Sequence, residues 1–315
     1  MNRLVLISLI TLSIFSCSRE NGAEPFERDL SQGNEGIELI PLYKTQLDLF
    51  EKFGVDSTDN AELVLTGLFN PHVALLKDCF GYSDTSYVAA QLEIFGSRMT
   101  EVRLAEAYFD SINFLQLLKG YEETFADETG QKASGKFYFS FFERRICNFC
   151  GCDLNTMQMD LLVPENQDLQ FLNILIPHEI NHNAFEIARN DSSMQETILY
   201  KAIDEGFANL VSQKLAGVSV EEAFGLSDSE YQWYTENESV IKEMVKPILF
   251  LTDEELWDPL SVKVPNSFMD GSPGNIGYYV GYRIVEEFLK KSENEEEWKN
   301  VYSIPVKQIY EESGW

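Results

Sequence analysis

The segment His178-Glu179-Ile180-Asn181-His182 limits what this chain can fold into more than any other segment. It holds two of the three histidines in 315 residues, and they are four residues apart. On an α-helix, residues i and i+4 lie one above the other on the same face, so both imidazoles can bind one metal ion from a single rigid element. Glu179 lies about 100° round the helix axis from His178. Its carboxylate can approach a water molecule there without binding the metal, so the segment predicts a metal-binding helix.

The N-terminal residues have the pattern of a bacterial export signal. Arg3 provides a short positive region, and the apolar stretch 4–15 is too short to span a bilayer as a permanent anchor. Residues 14–17, Ile-Phe-Ser-Cys, resemble the lipobox of bacterial lipoproteins. The resemblance implies a signal peptide of residues 1–16, acylation of Cys17 and a lipid bilayer as partner. Ordinary secretory cleavage is the alternative. Ser18 fits sorting to the outer membrane, so we expect a lipid-anchored protein of the cell envelope.

Composition excludes some classes of partner and predicts a folded domain. The net charge of −28 argues against binding to nucleic acid or to an anionic membrane surface. A hydrophobic content of 44% provides enough apolar side chains for a large core. Residues 17–40 are predicted to be the lipidated cysteine and a flexible tether, and no second linker follows. Residues 41–315 are therefore predicted to form a single domain.

Hydrophobic spacing predicts a mostly helical α+β protein with a small sheet beside the metal-binding helix. Helical spacing dominates residues 43–127. Two segments rich in β-favouring residues follow at 136–142 and 157–163, the second with partial alternation. Helical patterns resume at 167–190, 194–216, 228–249 and 275–291.

Pro177 stands directly before the first metal-binding histidine and has no amide hydrogen to donate inside a helix. Either the helix begins there, with proline in its first turn, or a longer helix continues through the proline. Both alternatives place His178 and His182 on one face.

A third metal ligand is expected from a second helix, and Glu205 is the candidate. The residues around it have helical apolar spacing, with Leu199, Ile203 and Phe207 on one stripe and Glu205 on another. The chain between His182 and Glu205 is long enough to finish one helix, turn at residues 190–193 and return antiparallel. Glu205 can thus face the two histidines, and the alternative is a solvated carboxylate on the helix surface.

These motifs together resemble gluzincin metallopeptidases, including the aminopeptidase N family. The likeness rests on H-E-x-x-H at 178–182, Glu-Gly-Phe-Ala at 205–208 and Gly-Tyr-Tyr-Val-Gly-Tyr-Arg-Ile-Val at 277–285. The same three elements resemble an uncharacterised family of predicted zinc-dependent proteases, and the likeness covers about residues 135–292. It implies a zincin-like domain that hydrolyses peptide bonds, with a peptide or protein as substrate and Zn²⁺ as cofactor. By this resemblance His178, His182 and Glu205 are the zinc ligands, and Glu179 is the general base.

Two supporting roles have candidates. Asn209, one turn after Glu205, is placed to accept a hydrogen bond from a ligand imidazole, with Asp204 as the rival for that role and a surface asparagine as the alternative. Tyr278 resembles the transition-state tyrosine of the aminopeptidase N family and is the first candidate to stabilise the developing oxyanion. Tyr279, Tyr282 and Arg283 are alternatives, and packing of these tyrosines in a core helix is another.

Besides Cys17, the chain has four cysteines: Cys79, Cys147, Cys150 and Cys152. An even number in an exported protein predicts disulfides, with Cys79 paired into the later cluster. The alternative is a second, structural zinc site held by the same four thiolates.

Two functions remain open. The first is a membrane-anchored zinc metallopeptidase. The second is a non-enzymatic lipoprotein of motility or assembly, because residues 233–239, 272–274 and 277–285 also resemble a gliding-motility lipoprotein. The complete set of metal-binding residues favours the enzyme.

Overall fold

The computed structural model describes residues 36–53, 60–142, 148–153, 156–189, 191, 193–294 and 296–315. The predicted signal peptide, Cys17, residues 18–35 of the predicted tether and Cys147 lie outside the described residues. Only the backbone is described for Cys150 and Cys152. Within the described ranges, no helix is both long enough and apolar enough to cross a membrane.

Four strands form one sheet in the order β1-β2-β4-β3. Three neighbouring strands run parallel, β1 to β2 and β2 to β4, and β3 pairs antiparallel with β4 at the edge. The strands are β1 (Ile37–Ile40), β2 (Gly135–Ser140), β3 (Phe149–Asp153) and β4 (Thr156–Asp160). With helices before and after this small sheet, the predicted α+β class is confirmed.

The two central strands are buried on both faces. All residues of 137–142 and of 157–163 are buried, so polar and apolar side chains do not alternate between water and core. Parallel strands covered on both faces have this pattern, because no face needs to stay polar. The partial alternation predicted for 157–163 therefore does not separate an exposed face from a buried one.

The described ranges contain twelve α-helices. They are α1 (Leu42–Phe53), α2 (Asn60–Val64), α3 (Asp84–Ser97), α4 (Met99–Ser111), α5 (Phe114–Thr129), α6 (Leu169–Ala188), α7 (Ile198–Ala216), α8 (Val220–Ala223), α9 (Asp228–Val245), α10 (Glu254–Ser261), α11 (Ile276–Leu289) and α12 (Val306–Ser313). The helices predicted at 167–190, 194–216, 228–249 and 275–291 are confirmed as α6, α7, α9 and α11. Their ends differ by a few residues, as expected where helices fray.

His178 and His182, the predicted metal ligands, lie in the second half of α6, which continues through Pro177. The helix begins where the side chain of Asp168 accepts a hydrogen bond from the amide of Gln170, at 2.8 Å. This N-cap satisfies one of the first amides of the helix. Of the two alternatives at Pro177, the structure has the longer helix. It packs against β3, α5 and α7.

The tether prediction for 17–40 is wrong at its end, because Ile37–Ile40 form β1. Ile37 and Ile40 lie opposite Gly135 and Tyr138 of β2. The partner strand is almost a hundred residues away, so local composition did not reveal the pairing. A single cluster of buried apolar side chains extends from Leu42 to Trp315. The predicted start of the domain at residue 41 remains a prediction.

Candidate metal centre

The two histidines of α6 direct their Nε2 atoms towards the same point. Nε2 of His178 and Nε2 of His182 lie 3.0 Å apart, and the ring planes are 81° to each other. This is the arrangement that the i, i+4 spacing predicts for neighbours on one helix face. Both rings are largely buried, and their Nε2 atoms point away from the helix towards α7.

Glu205 on α7 completes a triangle of donor atoms. Its Oε2 lies 3.3 Å from Nε2 of His178 and 3.2 Å from Nε2 of His182. In the described part of the chain, these three residues form the one group of histidine, cysteine and carboxylate side chains that could share a metal ion.

The size of this triangle matches zinc. Tetrahedral zinc with bonds of about 2.0–2.1 Å has ligand atoms about 3.3 Å apart. The three sides of the triangle measure 3.0, 3.2 and 3.3 Å. Two imidazole nitrogens and one carboxylate oxygen are also a donor set that zinc accepts, with a fourth position left for another ligand. The residues present therefore fit Zn²⁺.

The charges around the triangle favour a cation. Burial acts to lower the pKa of His182, but the charges of Asp204 and Glu205 outweigh it and raise this pKa well above its usual value. Burial acts to raise the pKa of Glu205, but the charge of His182 and the hydrogen bonds from His178 and His182 lower it to about 2. Burial lowers the pKa of His178. The carboxylates of Asp204 and Glu205 thus favour a positive charge at this position.

Glu179 lies in the same buried region. Burial, together with the charges of Glu205 and Asp204, raises the pKa of Glu179 to about 8, although the charge of His182 acts in the opposite direction. A carboxyl group with a pKa near neutrality can accept and release a proton under ordinary conditions. The predicted role of general base needs the ionised carboxylate, and a cation bound beside Glu179 would favour that form by lowering its pKa.

Two residues of α7 were considered as supports for the ligand imidazoles. Asp204 accepts a hydrogen bond from Nδ1 of His182, with 2.8 Å between Nδ1 and Oδ1. Asn209 is buried one turn after Glu205, and its Nδ2 has no hydrogen-bond partner among the described residues. Asp204 makes the contact with His182, and the role predicted for Asn209 remains a prediction.

Tyr278 lies beside the triangle. Its ring is nearly parallel to the imidazole of His178, with the ring centres 6.4 Å apart and the planes 11° to each other. Tyr278 is in the first turn of α11 and is buried. The ring of Tyr278 thus lies next to one of the predicted metal ligands, and its role as oxyanion donor stays a prediction.

The three alternatives to Tyr278 make contacts with other helices. Tyr279 donates its hydroxyl hydrogen to Glu238 at 3.4 Å, and Tyr282 donates its own to Gln213 at 3.3 Å. Arg283 is paired with Glu238 at 3.3 Å. These contacts tie α11 to α9 and α7, whereas the ring of Tyr278 contacts the imidazole of His178.

Two glycines allow the backbones of α11 and α7 to come into direct contact. A Cβ built on Gly206 would lie 1.9 Å from the amide nitrogen of Tyr282, and one on Gly281 would lie 1.5 Å from the carbonyl oxygen of Ala202. Gly206 directly follows Glu205, and Gly281 is one turn after Tyr278. The sequence analysis had no role for these glycines, although a glycine inside a helical pattern is a known signal of close packing.

Of the cysteines, Cys79 is described as disulfide-bonded, which confirms a disulfide at this position. Its partner lies outside the described side chains. A thiolate site for a second zinc would need Cys79 free, so the disulfide argues against that alternative. Disulfides persist in oxidising compartments, in agreement with export from the cytoplasm.

Comparison with known proteins identifies one family. The family described as gliding motility protein GldB matches residues 163–315, just under half of the chain. This range includes α6, α7 and α11, and therefore every residue of the candidate metal centre. No curated protein and no solved structure matches the chain.

Proposed function

We propose that this protein is a cell-envelope lipoprotein of the gliding-motility type, anchored to the outer membrane through an acylated Cys17. The family match over residues 163–315 carries the proposal. The lipobox-like residues 14–17 support the anchor. We infer that the matched half contains the functional site and that residues 18–36 connect the folded part of the chain to the membrane.

Deletion of the gene in its own host tests the proposal. We expect colonies of the deletion strain to stop spreading, and we expect the unaltered gene to restore spreading. A Cys17→Ala variant should lose labelling by radioactive palmitate and should fail to complement. Normal spreading of the deletion strain would contradict a role in gliding.

We further propose that the protein binds one zinc ion through His178, His182 and Glu205. The proposal is supported by the triangle of donor atoms, with sides of 3.0–3.3 Å, and by the carboxylates around it. Its test is the zinc content of the purified full chain by elemental mass spectrometry, with free thiols blocked. We expect one zinc per chain, lost in His182→Ala.

A matched control for this measurement is available in the third histidine. His72 is half-buried outside the centre and packs edge-on against Tyr138, with ring centres 5.6 Å apart. His72→Ala should keep its zinc. Equal zinc in wild type and His182→Ala would show that the metal is held elsewhere.

A second candidate function, zinc-dependent hydrolysis of peptide bonds, is favoured by Glu179. Zinc would supply a Lewis acid that polarises the scissile carbonyl and activates water. The Glu179 carboxylate would take a proton from the attacking water and pass it to the leaving amine. The Tyr278 hydroxyl would donate to the developing oxyanion. The charges of His182 and Glu205 act on Glu179, and the ring of Tyr278 lies 6.4 Å from that of His178, measured between ring centres.

The variant Glu179→Gln separates the two functions. It keeps the size of the side chain and all three zinc ligands, but it removes the base. If the protein acts only as an assembly component, the variant should restore gliding in the deletion strain. If it acts as a peptidase, the variant should keep its zinc, lose peptide hydrolysis and fail to complement at normal protein levels. Hydrolysis by the variant at the wild-type rate would exclude Glu179 as the base.

A further inference from the structure

We infer that Asp204 is the positioning residue of the metal centre, and that its carboxylate holds the His182 imidazole with Nε2 directed at the metal. The inference rests on the proposed zinc site and adds a residue to it. Its basis is the contact of 2.8 Å between Oδ1 of Asp204 and Nδ1 of His182.

Adjacent residues of α7 hold both nitrogens of this ring. Asp204 accepts a hydrogen bond from Nδ1, while Oε2 of Glu205 lies 3.2 Å from Nε2. Successive residues on a helix point about 100° apart, so α7 can reach both sides of the imidazole. A proton on Nδ1, donated to Asp204, leaves the lone pair on Nε2, which is the nitrogen that faces His178 and Glu205. The ring is thereby fixed in orientation and in tautomer.

The surroundings of Asp204 distinguish it from an ordinary surface carboxylate. Its side chain is only 16% exposed. A buried charge is costly unless it has partners. The imidazole of His182 is such a partner for the Asp204 carboxylate.

A carboxylate on the far nitrogen of a metal-binding histidine makes the ligand more basic and restricts its rotation. Loss of such a partner typically weakens metal binding by about 10- to 100-fold. Asp204→Asn keeps the shape of the side chain and removes the charge. Asp204→Ala also removes the hydrogen bond, so the second variant should bind zinc more weakly than the first.

The experiment measures zinc affinity of the full chain by competition with a chelator, for wild type, Asp204→Asn and Asp204→Ala. Asp228→Asn is the control, because it makes the same charge change at an exposed position in the first turn of α9. We expect a loss of about 10- to 100-fold in both Asp204 variants and no loss in the control. The melting temperature in EDTA reports any purely structural effect, which would lower it in the zinc-free state.

Nitrogen chemical shifts of the zinc-loaded protein provide an independent readout. They should show a proton on Nδ1 of His182 in the wild type and a weakened Nδ1 hydrogen bond in Asp204→Ala. Unchanged zinc affinity in both Asp204 variants would overturn the inference while leaving the zinc site intact. A wild type that binds no zinc would instead overturn the site itself. If Asp204→Ala does not fold, the isosteric Asp204→Asn still decides between these outcomes.

Discussion

The close contact between α7 and α11 leaves no room for a side chain at Gly281. A Cβ there would lie 1.5 Å from the carbonyl oxygen of Ala202, whereas ordinary contact begins at 3.4 Å, so the difference is about 1.9 Å. The obstacle is backbone and cannot rotate away. Overpacking of a core by added methyl groups costs about 1–3 kcal/mol and occasionally more. We therefore expect Gly281→Ala to lower the free energy of unfolding by about 3 kcal/mol or more.

Gly120 offers a matched control for the same substitution. It lies in the interior of α5, and a Cβ built there has no atom within 4 Å. Because alanine favours the helix over glycine by about 0.8–1 kcal/mol, Gly120→Ala should stabilise the protein by up to that amount. The assay is urea unfolding of both full-length variants and the wild type, followed by circular dichroism.

The two substitutions should move the urea midpoint in opposite directions. If Gly281→Ala unfolds at the wild-type midpoint, α7 and α11 are not in backbone contact, and the reasoning is refuted. A fall of equal size in both variants would mean that glycine is needed in these helices for reasons other than close packing.

Three further predictions concern the metal, the tyrosine and the disulfide. Zinc at a free concentration 100 times its dissociation constant should raise the free energy of unfolding by about 2.7 kcal/mol; this gain should be absent in His182→Ala. If the protein is a peptidase, Tyr278→Phe should lower kcat by about 100- to 1,000-fold, as loss of an oxyanion donor does elsewhere, without loss of zinc. Tyr282→Phe, whose hydroxyl contacts Gln213 instead, should stay near wild type. Cys79→Ser should lower the free energy of unfolding, measured in urea, by about 2–5 kcal/mol. Because this variant already lacks the disulfide, a reductant should cause no further loss of stability through that bond.

The helices around the metal centre were accessible from the sequence because their signal is local. A stripe of apolar residues repeats every three or four positions in α6, α7 and α11, and each was predicted to within a few residues. The continuation of α6 through Pro177 was left open, because a proline inside a helix depends on the packing around it. The strand β1 was missed because its partner β2 lies almost a hundred residues further along the chain.

The sequence by itself determined that His178 and His182 share one helix face, because four-residue spacing on a helix is a local geometric fact. It also supplied Glu205 as a candidate on a second helix, but spacing cannot tell how two helices are turned towards each other. Only the tertiary structure decided that Oε2 of Glu205 comes within 3.3 Å of both imidazoles, that Asp204 contacts His182 and that Tyr278 lies beside His178. These distances depend on how α6, α7 and α11 pack against one another. That packing is set by contacts along the whole length of the helices, which local spacing does not contain.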